Sequence, residues 1–433
     1  TTNLNVSNSV ISVAGSYGIY APNANNSSIT NSTIDGTYSE AAIKMESCLG
    51  CTVNNNTISS NPYRGIWMDY GFNTLITNNT MDVDYFGIEA RDGSYYSLNG
   101  NTIRVHNINQ QGDLRGIKFT SSEYCTVNNN HISANSYANY GYGIENYNDN
   151  SQAIINNNTI DFTSYDSIQC GWYTSSGSSY ENNGVRCIYV NDPQEIKSNT
   201  ISQDQYYSGN AIYIYQNDNY DIDLTIESNH IEVYTRYNWS NEDGAIRVYN
   251  NSGYDGYTLV KNNTIELYNG SSRGIDIGRN TDIIGNTISY GDRYTQNCSF
   301  DYSDNTIAIR VSDRDHHIIR NNTITDFPKG IELDNSTDNV VDSNSVNTTS
   351  TYTTLSGYNI TWNENYGIHA NNSDSLFITN NTIKTELGDL IYQTNGASTI
   401  KYNLLETFSG RGIYCENQAG VEFSNNTIIS TSG

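Results

Sequence analysis

Asn55-Asn56-Thr57-Ile58, followed a few residues on by Gly65-Ile66-Trp67-Met68, is one turn of a repeat that fills the chain. Self-similarity at a fixed period is the sign of a solenoid and outranks other fold signals. The kernel is Asn-x-Ile with conservative variants. Its third residue falls at Val10, Ile34, Ile58, Met81, Ile103 and onward to Leu405 and Ile428, sixteen times in all. Two residues earlier stands Asn in every case but one, where Ser32 substitutes. Five residues earlier stands Ile, Val, Leu or Phe from Ile29 through Phe423; the first repeat departs, with Asn5.

The second signature, Gly-Ile or Ala-Ile, recurs at Gly18-Ile19, Ala42-Ile43, Gly87-Ile88, Gly330-Ile331 and Gly412-Ile413 among others, with Ile188, Ile212, Ile246 and Leu390 in the same place elsewhere. From this isoleucine to the next Asn-x-Ile residue the distance is 15 in most repeats, whereas from that residue to the next Gly-Ile it runs from 7 to 28. Two faces held in register while one corner bulges freely is the behaviour of a coil solenoid.

Alternation within the repeat makes these faces strands. Two residues past the Gly-Ile isoleucine the chain is mostly apolar (Met45, Met68, Phe119, Val248, Leu333), and the residue between is polar, charged or aromatic (Lys44, Glu89, Lys118, Glu145, Arg247, Asp276, Arg310, Glu332). This period of two belongs to a strand with one face on a core. The recurrent Asn suits a corner. Its amide can bond equivalents one strand spacing above and below, and it tolerates a left-handed backbone. The charges just named alternate in sign along successive coils, as a stabilising ladder would.

At these residues the chain resembles the parallel β-helix repeat family of NosD-like and archaeal surface proteins; Asn55-Asn56-Thr57-Ile58 with Gly65-Ile66, and Asn321-Asn322-Thr323-Ile324 with Gly330-Ile331, carry the likeness. The resemblance spans essentially the whole chain. It implies an all-β fold, a single right-handed parallel β-helix of about sixteen coils over residues 1–433, with three long insertions at one corner (Ile160 to Ile188, Ile288 to Ile309, Val346 to Ile368). It implies little about function, because the fold carries lyases, hydrolases, epimerases, tailspikes and surface proteins. The richness in Asn, Thr and Tyr also resembles surface proteins of methanogenic archaea.

The 433 residues include 46 acidic and 21 basic ones, a net charge of −25. Phosphate binding needs cationic patches, so no nucleic-acid partner is expected. No run of 18 apolar residues occurs, so no membrane span is expected. Sequons at Asn238, Asn269, Asn297, Asn335 and Asn359 point to a secreted, glycosylated, cell-surface protein. Cys170 and Cys187 bracket one insertion and could close it as a disulfide; Cys415, at an inward position, should be buried; Cys51 and Cys125 share a column three coils apart, too far to bridge. Cys48 and Cys51 have the spacing of half a zinc site but no second pair.

No catalytic constellation stands out. The Asp-Asp, Gly-His-Gly and Arg-x-Lys pattern of polygalacturonase-like enzymes is missing, and Asp192-Pro193 is followed by Gln194 rather than the His of alginate epimerases. Asp313-Arg314-Asp315-His316-His317 reads as a solvated polar turn; metal binding by the two histidines would need that turn to bend, since adjacent side chains on a strand point oppositely. No cofactor or metal is therefore expected. The Tyr-rich insertions could serve as sugar platforms. Both ends fall within the repeat without a polar cap, so stacking beyond them is expected. The sequence thus points to an extracellular structural protein that self-assembles into a filament, sheath or layer, with polysaccharide binding or cleavage as the alternative.

Overall fold

A computed structural model describes residues 3–431 apart from 108–113, 137–140, 147–150, 165–184, 208, 217–221, 238–243, 251–255, 270–272, 292–305, 350, 354–358, 362–364 and 419. The described residues are all strand, turn and bend. The chain is a parallel β-helix built as two compact units, Thr1–Ile222 and Asp223–Gly433.

In each unit the coil repeats three strands, and every strand pairs in parallel with its equivalents in the coils before and after. Among the described residues, the first unit has eight strands in each of three sheets and the second has eight, eight and seven. One coil shows the plan. Thr52–Asn54 lies in the first sheet, Thr57–Ser59 in the second and Arg64–Asp69 in the third. Val53, Ile58, Ile66 and Met68 point inward and are fully buried. The core is one side chain deep on each wall, and burying each of these residues contributes about 1.5–3 kcal/mol.

Register corrects two readings of the repeat. In the first coil, Val10 pairs with Thr33 and Ile11 with Ile34. Ile11 therefore holds the core column, with Ser9 in the Asn place, and Val10 faces out. The residue five before Ile11 is Val6, paired with Ile29, so the apolar rule has no exception. Near the other end, Ile368 pairs with Ile391, not with Leu390. Leu390 occupies the Gly-Ile glycine's place, next to Gly367.

The two roles expected of the recurrent Asn belong to two different residues. The left-handed corner falls on the residue before it: Asn55, Asn78, Gly100 and Asn129 have φ of 55°, 55°, 68° and 56°. The Asn itself is buried and forms a ladder. Asn79 Oδ1 accepts from Asn56 N–H and Nδ2, both at 3.0 Å. Asn79 Nδ2 donates to Asn101 Oδ1 at 3.0 Å and to the Val53 carbonyl at 2.9 Å. The same links join Asn101, Asn130, Asn158 and Asn199 in the first unit. In the second they run from Asn229 through Asn263, Asn286, Asn322, Asn344, Asn381 and Asn403 to Asn426. Each amide meets its donors and acceptor without water, as a buried polar group must.

All three long insertions leave a second-sheet strand and return to a third-sheet strand: Thr159–Ser164 to Val185–Asn191, Thr287–Gly291 to Ile307–Ser312, and Ser345–Thr348 to Tyr366–Asn371. That is one corner type, as expected. The third-to-first corner also varies: Gly141–Asn146 and Gly244–Asn250 are each followed by a longer connection than Arg64–Asp69 is. The last insertion carries a short antiparallel hairpin, Thr351–Thr353 with Asn359–Thr361.

Candidate functional site

The outer face of the third sheet gathers ions and rings. In the first unit Glu89, Lys118 and Glu145 stand in register, as the alternating column requires. Glu89 nevertheless takes its ion pairs from its own face, with Arg64 and with Arg91 Nη2 at 2.6 Å. Burial pushes the Glu89 carboxyl up, but the two guanidiniums outweigh it and hold it below the usual carboxylate range. Arg115 pairs with Glu145, and burial, then the nearby Arg115 charge, pushes the Lys118 ammonium down. In the second unit the ladder runs as the sequence suggests: Arg310 Nε lies 3.0 Å from Glu332 and its Nη1 3.6 Å from Asp276. Rings cover the cations. Lys44 Nζ sits 3.7 Å from the centre of a Trp67 ring, and the Arg411 guanidinium 3.7 Å from that of Tyr414. Carboxylates tied down by arginines are poor nucleophiles and poor proton acceptors, so this face binds charge within itself.

A different surface faces outward. At the third-to-first corner of the first unit, Leu49, Phe72, Tyr95 and Tyr124 follow one another on successive coils, with exposures between 37% for Tyr124 and 51% for Leu49. Phe72 meets Tyr95 edge-on at 5.2 Å, and Tyr95 stacks on Tyr124 at 5.0 Å with 9° between planes. Gln152 Nε2 donates to the Tyr124 hydroxyl at 3.4 Å and extends the row. Tyr95 and Tyr124 have φ of 57° and 54°. The preceding coils fill this left-handed position with Asn26, Gly50 and Asn73. A bulky residue there is an outlier, and such strain concentrates at functional sites. Sequence reading looked for platforms in the insertions and missed this ledge. The signal was present: Tyr95 and Tyr124 each stand three residues before an inward first-sheet residue, Leu98 and Val127.

One shallow concavity, about 620 Å³, opens at the second-to-third corner of the first unit between Ala14, Ser16, Thr37, Tyr38, Asn61 and Asp84. Burial pushes the Asp84 carboxyl up, which suits a proton donor. Asp84 is the one carboxylate lining it, so the pair that glycoside hydrolysis requires is not assembled there.

The Asp313–His317 turn separates its two histidines. His316 has φ 64° and a side chain 72% exposed, with Nε2 3.7 Å from Asp338. His317 is fully buried, and burial pushes it down to about 4. Asp315 accepts from Thr337 N–H at 2.8 Å; the Thr337 side chain first, and then this backbone bond, hold its carboxyl low. The turn is polar and faces solvent except at His317, which turns into the core, so its histidines do not converge.

Of the sequons, Asn335 is exposed at a left-handed corner, its Nδ2 donating to Asp313 Oδ1 at 3.4 Å and its Oδ1 accepting from Asn372 at 3.1 Å. Asn269 ends the strand Thr264–Asn269 and Asn359 begins a hairpin strand; Asn238 and Asn297 lie outside the described residues. Cys170 does too, so its pairing with Cys187 is not described; the Cys187 thiol is enclosed in the core, 3.7 Å from Gln203 Oε1. Cys51 and Cys125 share a column as expected, separated by the coils of Thr74 and Tyr96. Cys415 is half-buried, not buried; its strand is the last of its sheet among the described residues.

Comparison with known proteins agrees with this geometry. The family described as right handed beta helix region matches residues 1–160 and 296–433. The chain belongs to that family. No curated protein matches it.

Proposed function

We propose that the chain is an extracellular structural protein of the adhesive kind, which holds neutral glycan chains along the ledge of Phe72, Tyr95 and Tyr124. The observation that carries this reading is the stacked, exposed tyrosine pair in a backbone conformation that Asn or Gly adopts at lower cost. The turn does not call for a ring, so the rings answer to what lies against them. Aromatic faces suit the apolar faces of sugar rings, and the hydroxyls serve the wet edge. A net charge of −25 favours a neutral over an acidic polysaccharide.

Self-association into a filament, sheath or layer is the second reading. Leu49 and Phe72 make the same ledge apolar enough to be covered by another copy.

Affinity electrophoresis through gels containing a neutral or an acidic polysaccharide, with light scattering in parallel, separates the two. The neutral polysaccharide should retard the wild type but not the double variant Tyr95→Asn with Tyr124→Asn, whose melting temperature should be no lower. If the wild type runs free but its scattering rises more steeply than its concentration, and the variant's does not, self-association is favoured. If neither property depends on the tyrosines, the ledge has no binding role.

A further inference from the structure

Glu232 and Glu266 each follow an apolar residue of the second sheet by one position, and parallel register sets them directly opposite in the second unit. Like charges so placed are destabilising. Elsewhere the outward columns avoid this, with Arg247, Asp276, Arg310 and Glu332 alternating. One other pair of acids stands in register among the described residues, Glu46 with Asp69. There the Lys44 ammonium lies against both, at 2.7 and 3.6 Å.

At Glu232 and Glu266 the neighbouring group is an imidazole. His230 lies two residues before Glu232 on the same face and brings Nε2 to 3.3 Å from its Oε1. One donor atom from each of His230, Glu232 and Glu266 lies within 4.8 Å of the others, and all three residues are partly exposed. The other carboxylate oxygens are held from behind. Tyr234 Oη donates to Glu232 Oε2 at 3.0 Å, and Tyr268 Oη donates to Glu266 Oε2. The two rings stack at 4.5 Å with 3° between planes. Carboxylates fixed by hydroxyls on a rigid strand pair are oriented as ligating carboxylates are.

We propose that His230, Glu232 and Glu266 bind a divalent first-row transition-metal ion through one nitrogen and two carboxylate oxygens, with water completing its shell. The imidazole selects against calcium and magnesium, which take oxygen ligands; a mixed nitrogen and carboxylate set suits zinc and its neighbours. The site is independent of the aromatic ledge.

The test uses the full chain, stripped with chelator and titrated with zinc chloride by calorimetry at pH 8, where an ordinary imidazole is uncharged. Melting is followed with and without the metal. The wild type should bind one zinc equivalent more than His230→Ala or Glu266→Gln, and equimolar calcium should not displace it. Glu266→Gln should lose the zinc-dependent rise in melting temperature. His316→Ala should keep the wild-type zinc count. Retention of the wild-type zinc count and melting shift by Glu266→Gln, the variant closest in shape, would overturn the site. So would displacement of the zinc by equimolar calcium.

Discussion

The two asparagines of one corner look alike in the sequence but answer to different physics. Asn101 Oδ1 receives the N–H and Nδ2 of Asn79 in a buried row. Asn101→Ala removes an acceptor from two buried donors, and each costs about 1–3 kcal/mol. Asn78, one step earlier in its own corner, sustains a left-handed backbone and makes one exposed bond, Nδ2 donating to Asn54 Oδ1 at 3.1 Å, so Asn78→Ala should cost about 1 kcal/mol. Chemical denaturation of both variants should show the larger loss for Asn101→Ala; equal losses would refute the division of roles. His317 offers a pH test. Burial lowers it from 6.5 to about 4, so the unfolded chain binds a proton between those values that the folded chain does not. Stability is then fully present above pH 6.5 and falls as pH drops toward 4, by about 3 kcal/mol. In His317→Gln the melting temperature should fall less over that window. At this scale the sequence conveyed that Asn mattered but not which Asn did what, because both functions select the same side chain. The corner triplet Asn-Asn-Thr, as at Asn55-Asn56-Thr57 and Asn380-Asn381-Thr382, also spells a sequon. Sequon density is therefore partly a by-product of the fold and weak testimony for glycosylation.

At the scale of the strand, the third sheet explains its small residue. A Cβ on Gly87 would sit 2.3 Å from Ile103 Cγ2 and 2.5 Å from the Gly116 carbonyl oxygen. Gly87→Ala should thus cost about 1–3 kcal/mol through overpacking, measurable by thermal melting, even though other coils accept Ala42, Ala211 or Ala308 at the same place. Strand identity and facing were legible from period-two alternation over most of the chain. They failed by one residue where two apolar residues adjoin, at Val10-Ile11 and Leu390-Ile391, since either could lead the strand and a one-residue slip exchanges the faces. Glu232 and Glu266 were also within reach. Each follows a column isoleucine, Ile231 and Ile265, by one position, which already sets them opposite. The ledge was harder, because corner residues have no alternation to betray them.

At the scale of the molecule, stability is a chain of nearest-neighbour terms, because each coil touches only the coils beside it. Breaking the Asn ladder at Asn101 should therefore loosen nearby coils and leave distant ones alone. Hydrogen exchange on Asn101→Ala should show lost protection around Asn79 and Asn130 and wild-type protection from Asn344 to Asn403. Uniform loss along the chain would mean that the coils act as one cooperative block. The net charge of −25 acts at this scale too. Retention by an acidic polysaccharide should be weaker than by a neutral one at low ionic strength, and added salt should narrow the difference.

The buried amide row also governs how such a protein can change length over generations. Every rung presents the same donor and acceptor to the next, so no rung is specific to its neighbour. Excising residues 381–402 would join Asn380 to Asn403, and Asn344, which now bonds Asn381, would find the same group in the same place. The ion pairs sacrificed, Arg411 with Asp389 and Lys384 with Glu406, lie at the surface, where each is worth little. Unequal recombination between gene segments that encode whole coils is then a tolerated event. Copy number becomes a heritable dial on the molecule's length, turned without any new interface having to be invented.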